Sequence, residues 1–143
     1  MRKGFTIIEI LVSFGILALI LGVSVLFLRL AGPTLTLRSA ARMLSADLRY
    51  TAELANTTQI IHALRVDIPN SRYLIVRKTD PEVLVKEVTL NQGITFFTTT
   101  IPAGNAEFNI LGATSTPGLI TIQHQSGTTS TIDLRPSGYV RIN

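Results

Sequence analysis

Residues 2–12, Arg2-Lys3-Gly4-Phe5-Thr6-Ile7-Ile8-Glu9-Ile10-Leu11-Val12, decide the fold, because they set a basic pair and then a single carboxylate at the head of a long apolar run. The 19 residues over 10–28 carry no charge and are mostly Ile, Leu, Val, Ala and Phe. As a helix, 5–28 spans roughly 36 Å, enough to cross a hydrocarbon core of about 30 Å. Arg2 and Lys3 flank the N-terminal end, so the positive-inside bias leaves that end in the cytoplasm and carries the rest of the chain across the membrane; Arg29 on the far flank opposes this bias. Glu9 is then the residue to explain. A carboxylate inside a membrane span is costly and marks a functional site whose partner has to be named.

Two ordinary membrane readings fit poorly. A secretory signal needs small residues at a cleavage site after its apolar run, whereas the best candidate, Leu30-Ala31-Gly32, follows directly on Arg29. The chain has no cysteine, which removes a lipoprotein site, a disulfide framework, a thiolate nucleophile and a cysteine-ligated zinc. An uncut signal anchor suits the hydropathy but gives Glu9 no purpose.

A basic pair, Gly4-Phe5 and then Glu9 ahead of an uninterrupted apolar helix resembles the leader of the type IV pilin and pseudopilin superfamily. The resemblance implies that a prepilin peptidase cuts after Gly4, with Arg2 and Lys3 as the leader's basic residues, and that the new N-terminal Phe5 is N-methylated. It implies further partners: other major and minor pilins or pseudopilins, an inner-membrane assembly platform, and membrane lipid around the stored subunit. It also supplies Glu9 with a partner, since the cut creates an α-amino group at Phe5, one helical turn away and largely cationic at neutral pH. In the family this pairing runs mostly between neighbours, the glutamate of one subunit meeting the N-terminus of the next as it enters a helical filament. Desolvation makes an unpaired carboxylate expensive there, so pairing favours one axial register.

Beyond the span, Gly32-Pro33 predicts a kink or a short melted stretch, because proline removes a backbone donor and crowds the preceding turn. Helical periodicity then resumes over about 34–57. Leu37, Ala41, Leu44, Leu48, Ala52 and Ala55 share an arc of about 80°, a core-facing stripe from which Leu54 is excluded. Its alanine-rich second half predicts close approach of a sheet. Arg38, Arg42, Arg49 and Glu53 cluster on the other side, a solvated face with Arg49 and Glu53 spaced for an ion pair; a filament contact and a polyanion-binding stripe are the alternatives.

From 60 onward the period changes to two. Strands are expected at 60–68, 72–78, 83–90, 94–101, 107–111, 119–125, 129–134 and 139–142, separated by turn residues such as Pro69-Asn70, Asp80-Pro81 and Pro136-Ser137-Gly138. A helix followed by hairpins predicts an α+β fold: a long N-terminal helix, membrane-spanning in its first half and amphipathic in its second, packed on an antiparallel β domain. The expected organisation is a leader at 1–4, a transmembrane and assembly helix at 5–30, and an extracytoplasmic globular domain at 31–143. The amphipathic stretch 39–49, the strand that follows it and the ending 131–142 resemble the GspH/FimT group of minor pseudopilins and minor pilins. That resemblance implies a single-pass inner-membrane subunit whose globular part faces the periplasm and which caps or seeds a filament of type II secretion or of a type IV pilus.

No enzymatic constellation is present. His62 and His124 lie in separate expected strands without a second histidine at metal-ligand spacing, and neither G-x-S-x-G nor a phosphate loop occurs. Asp80 and Glu82 flank Pro81 without the alternating oxygen ligands of a calcium loop. Asn56-Thr57-Thr58 matches a glycosylation sequon and reads as a helix exit. No cofactor or metal is expected. The formal net charge is +4, of which Arg2, Lys3, Arg29 and Glu9 supply +2 (3 − 1); residues 30–143 hold 10 basic and 8 acidic side chains, again +2. That balance disfavours nucleic acid as a partner. Some FimT-like chains carry a basic pair after the terminal glycine, whereas here Tyr139 follows Gly138 and Arg135 and Arg141 stand apart. DNA uptake is therefore the alternative function, with Arg38, Arg42, Arg49, Arg135 and Arg141 as its contacts.

Overall fold

The computed structural model describes residues 6–143. Its first element, α1 (Ile7–Thr58), is a helix of 52 residues. The melted stretch expected at Gly32-Pro33 is absent, for α1 runs on through Pro33. Proline forfeits one amide donor, and the hydrogen-bonded turns on either side carry the helix past that single loss. The chain nonetheless divides here into two compact units, Met1–Pro33 and Thr34–Asn143. In the first unit, Ile7–Val25 is long and apolar enough to cross a membrane, with every side chain exposed. Its two serines turn inward on the backbone: Ser13 Oγ donates to the Glu9 carbonyl at 2.7 Å and Ser24 Oγ to that of Ile20 at 2.8 Å. Neither hydroxyl donor is then left without an acceptor along this apolar stretch.

The second unit holds the end of α1 and two four-stranded antiparallel sheets. One sheet contains β1 (His62–Asp67), β2 (Arg72–Arg77), β3 (Val83–Thr89) and β5 (Asn105–Phe108), in the order β3-β2-β1-β5. The other contains β4 (Ile94–Thr99), β6 (Gly118–His124), β7 (Thr129–Leu134) and β8 (Val140–Ile142), in the order β4-β6-β7-β8. All eight expected strands form, with shorter ends in most. The clearest shift is β5, expected at 107–111 from its apolar residues. It stops at Phe108 because the Asn109 side chain accepts from the amides of Leu111 and Ala113 and bends the chain into a turn. Helix α1 similarly keeps Asn56-Thr57-Thr58 and ends at Gln59, whose φ of 55° is left-handed.

Alternation places one face of each sheet inward. Leu37, Ala41, Leu44, Leu48 and Ala55 of α1 are buried, and they share a core with Leu64, Tyr73, Ile75 and Phe108 of the first sheet and Ile94, Phe96, Ile120, Ile122 and Ile132 of the second. Tyr73 and Phe96 meet edge-on across the sheets, ring centroids 6.5 Å apart. Ala52 is only partly buried, and Leu54, placed outside the stripe by the wheel, packs against the core beside it. The close contact at the alanine-rich end is made by the turn that follows β5, not by the sheet expected there. A Cβ on Gly112 (φ +77°) would lie 3.5 Å from the Ala52 carbonyl oxygen.

Candidate functional site

Helix α1 begins directly after Thr6, and Thr6-Ile7-Ile8-Glu9 forms a reciprocal cap. Thr6 Oγ1 accepts from the Glu9 amide at 3.3 Å, while the Thr6 amide and hydroxyl both reach Glu9 Oε2, at 3.5 and 3.4 Å. Four amides at a helix N-terminus lack intrahelical partners. A Thr at the cap with Glu three residues on is the arrangement that answers two of them. The distances are long for hydrogen bonds, so the carboxylate is held loosely and stays exposed. This T-x-x-E pattern is legible in the sequence as a capping signal, and the apolar setting of Glu9, which draws attention to a cationic partner, obscures it.

A second carboxylate, unsuspected from sequence, lies on the other half of α1. Asp47 is buried, accepting from Tyr73 Oη at 2.6 Å and from Lys86 Nζ at 2.7 and 2.8 Å. Burial first, and then the hydrogen bond to Asp47, push the Tyr73 phenol well above its ordinary value. The edge strand β3, which otherwise exposes nearly all its side chains, is thereby pinned to α1 through Lys86.

The arginines fall as a flank. Arg38, Arg42 and Arg49 are exposed. The ion pair expected between Arg49 and Glu53 does not form; Arg49 instead donates to the Val140 carbonyl at 2.9 Å, because β8 runs alongside that flank and offers a fixed acceptor. The helical row and the terminal hairpin therefore adjoin at Arg49 and Val140, next to Arg141. Arg135 has a long contact of 3.4 Å to Asp133, and Arg141 is the cross-strand neighbour of the same carboxylate. Elsewhere, His62 Nδ1 lies 2.8 Å from the Ile60 carbonyl and His124 Nδ1 2.9 Å from Ser126 Oγ, so both are engaged locally. Glu82 pairs with Arg65 at 3.4 Å. Among the described residues no cluster of metal-ligating side chains forms.

Residues 1–25 match the prokaryotic N-terminal methylation motif. The fold matches the minor pseudopilin EpsH of the type 2 secretion system of Vibrio cholerae, with a TM-score of 0.64 at 16% identity over 75% of this chain and 95% of that one. It matches the type IV minor pilin FimU of Pseudomonas aeruginosa equally, with a TM-score of 0.64 at 15% identity over 75% and 87%. An N-terminal methylation motif thus stands ahead of a fold like that of minor pilin-type subunits. These solved neighbours are a minor pseudopilin and a minor pilin, the kinds of subunit that the GspH/FimT resemblance names. No curated protein matches the chain by sequence. Of the sites expected of a pilin-like chain, Arg2, Lys3, Gly4 and Phe5 lie outside the described residues. Glu9 stands at the head of the apolar helix, while Arg38, Arg42, Arg49, Arg135 and Arg141 belong to the second unit.

Proposed function

We propose that this chain is a minor pilin or pseudopilin, stored in the inner membrane with its N-terminus cytoplasmic and its globular unit periplasmic. Prepilin peptidase cuts it after Gly4, Phe5 is N-methylated, and the mature subunit enters the filament of a type II secretion system or type IV pilus, at or near its tip. The observation that supports this most is the joining of an N-terminal methylation motif over residues 1–25 to a unit with the fold of two minor subunits. Its partners on this reading are the peptidase, the other pilin-like subunits and the assembly platform, and its role is structural, without catalysis.

Glu9 is the assembly residue. In the stored subunit it caps its own helix; in the filament it meets the cationic N-terminus of a neighbour, an exchange that its loose cap permits. Two substitutions separate these roles. Glu9→Gln keeps a capping side chain and loses the charge, whereas Glu9→Val loses both. Both variants are cut normally, and both fall about tenfold or more in filament-associated subunit, measured by immunoblot of sheared filaments. Wild-type entry of Glu9→Gln would assign Glu9 to helix capping alone.

DNA capture is supported by one observation, the junction of the arginine row with the terminal hairpin at Arg49 and Val140. Asp133 beside Arg135 and Arg141 opposes it, as does the +2 balance of residues 34–143. Binding carried by a few phosphate contacts falls steeply with salt, by about 0.9 in log–log slope per contact. Little affinity remains at about 150 mM salt on this account; micromolar affinity there, lost in Arg135→Ala/Arg141→Ala, would favour DNA uptake.

A further inference from the structure

The outward face of α1 in the second unit carries two parallel rows. Leu35, Met43 and Tyr50 are 61%, 46% and 46% exposed and fall within an arc of about 80° on a 3.6-residue helix. Ser39 and Ala46, both small, lie between them and leave room for a facing surface. Arg38, Arg42 and Arg49 fill a neighbouring arc of about 40°. The apolar row runs on the side of α1 that bears Asp47 and β3, the cationic row on the side that meets β8 at Val140. Three large apolar side chains left in water along about 22 Å of one helix constitute a partner-sized ridge. The cations beside it state what the partner must carry.

They also argue against a second copy of this chain. Face-to-face pairing would set arginine on arginine. Pairing of this face with some other face of a second copy needs free carboxylates, and residues 34–143 have few. Of their eight, six are already engaged: Asp47 with Lys86, Asp67 and Glu87 with Arg72, Glu82 with Arg65, Glu107 with Lys78, and Asp133 with Arg135. That leaves Glu53, about five turns along from Leu35 and so at the edge of the apolar row beside the arginines, and Asp80. Arg38 and Arg42 have no carboxylate partner among the described residues.

We infer that this face docks a non-identical subunit of the same filament, through a helix that sets an apolar stripe on Leu35, Met43 and Tyr50 and carboxylates on Arg38 and Arg42. The inference rests on the filament-subunit reading and deepens it by naming which neighbour the chain takes. Apolar area holds the two helices together, and like-charge exclusion selects the partner. A chain that repels itself at this face enters a filament singly, between subunits of another kind.

The test uses the full chain in cells that assemble the filament, with a photoreactive phenylalanine analogue at Met43 and, as a control, at the exposed Phe97 of β4. The crosslinked peptide is identified by mass spectrometry. The expected result is an adduct from position 43, absent from position 97, on a carboxylate-bearing helix of a different pilin-like subunit. Arg38→Glu/Arg42→Glu reduces that adduct about tenfold or more, and changing the mapped carboxylates to arginine restores it. An adduct to a second copy, to lipid or to nucleic acid would overturn the inference. So would the absence of any adduct from a chain that is cut and found in filaments. A chain that is neither cut nor found in filaments would instead overturn the proposed function, so the two failures are distinct.

Discussion

Asp47 shows what one residue contributes and why it escapes sequence reasoning. On a helical wheel it sits at the border of the apolar stripe, and an acidic residue at such a border ordinarily faces water. Its partners are 26 and 39 residues away, at Tyr73 and Lys86, and no local pattern links them. Asp47→Ala leaves the buried Tyr73 hydroxyl without an acceptor and frees Lys86, at a cost of roughly 3 kcal/mol. Tyr73→Phe costs about 1 kcal/mol, and the double variant is less destabilised than the sum, because the stranded hydroxyl is gone. Thermal melts of the four proteins in one detergent measure this. The raised Tyr73 phenol adds a pH prediction. A tyrosine whose folded value lies above its unfolded value contributes stability that is intact below about pH 10 and falls as pH rises beyond it, where the unfolded chain ionises first. The melting temperature of the wild type drops above about pH 10 more steeply than that of Tyr73→Phe. Equal slopes would remove the phenol from the account.

Among elements, those governed by periodicity are readable and those governed by a single contact are not. The two-residue alternation marks eight strands, and the stripe from Leu37 to Ala55 finds the buried side of α1, because burial of one face is what both patterns record. Pro33 reads as a break yet leaves the helix continuous, since local chemistry weighs one lost donor but not the long run of turns on both sides. Edge strands β3 and β4 each carry a bulge, leaving Val85 and Phe97 without a cross-strand partner. Such interruptions discourage a further strand from adding there. The terminal hairpin depends on a closer contact: a Cβ on Gly138 (φ +79°) would collide with the Gly112 carbonyl oxygen. Gly138→Ala therefore costs roughly 3 kcal/mol and weakens the junction of β8 with Arg49. Gly127, with φ +87° and nothing within 4 Å of where a Cβ would stand, is the control. Gly127→Ala bears only the backbone cost of about 1 kcal/mol, and chemical denaturation of both variants separates steric contact from strain.

For the whole molecule, the division after Pro33 matters most. Residues Thr34–Asn143 form a compact unit by themselves, and their 110 residues exceed the size at which a single core becomes marginal. A protein starting at Thr34 folds without detergent, giving a cooperative thermal transition and dispersed amide resonances. A molten far-ultraviolet spectrum without such a transition would show that the apolar half of α1 is needed for the fold. The leader tells more about function than any other part of the sequence, because on the proposed function its order of charges and Gly4-Phe5 is what an enzyme reads. The globular unit tells less, since strand patterning is common to many folds and the arginine flank acquires meaning only when β8 is beside it. The central claim is that the chain is a processed pilin-like subunit, and the intact mass of protein extracted from membranes tests it most directly. In cells with an active prepilin peptidase, the predicted mass is that of a chain beginning at Phe5 with one added methyl group; a mass that still includes Met1 to Gly4 would contradict it.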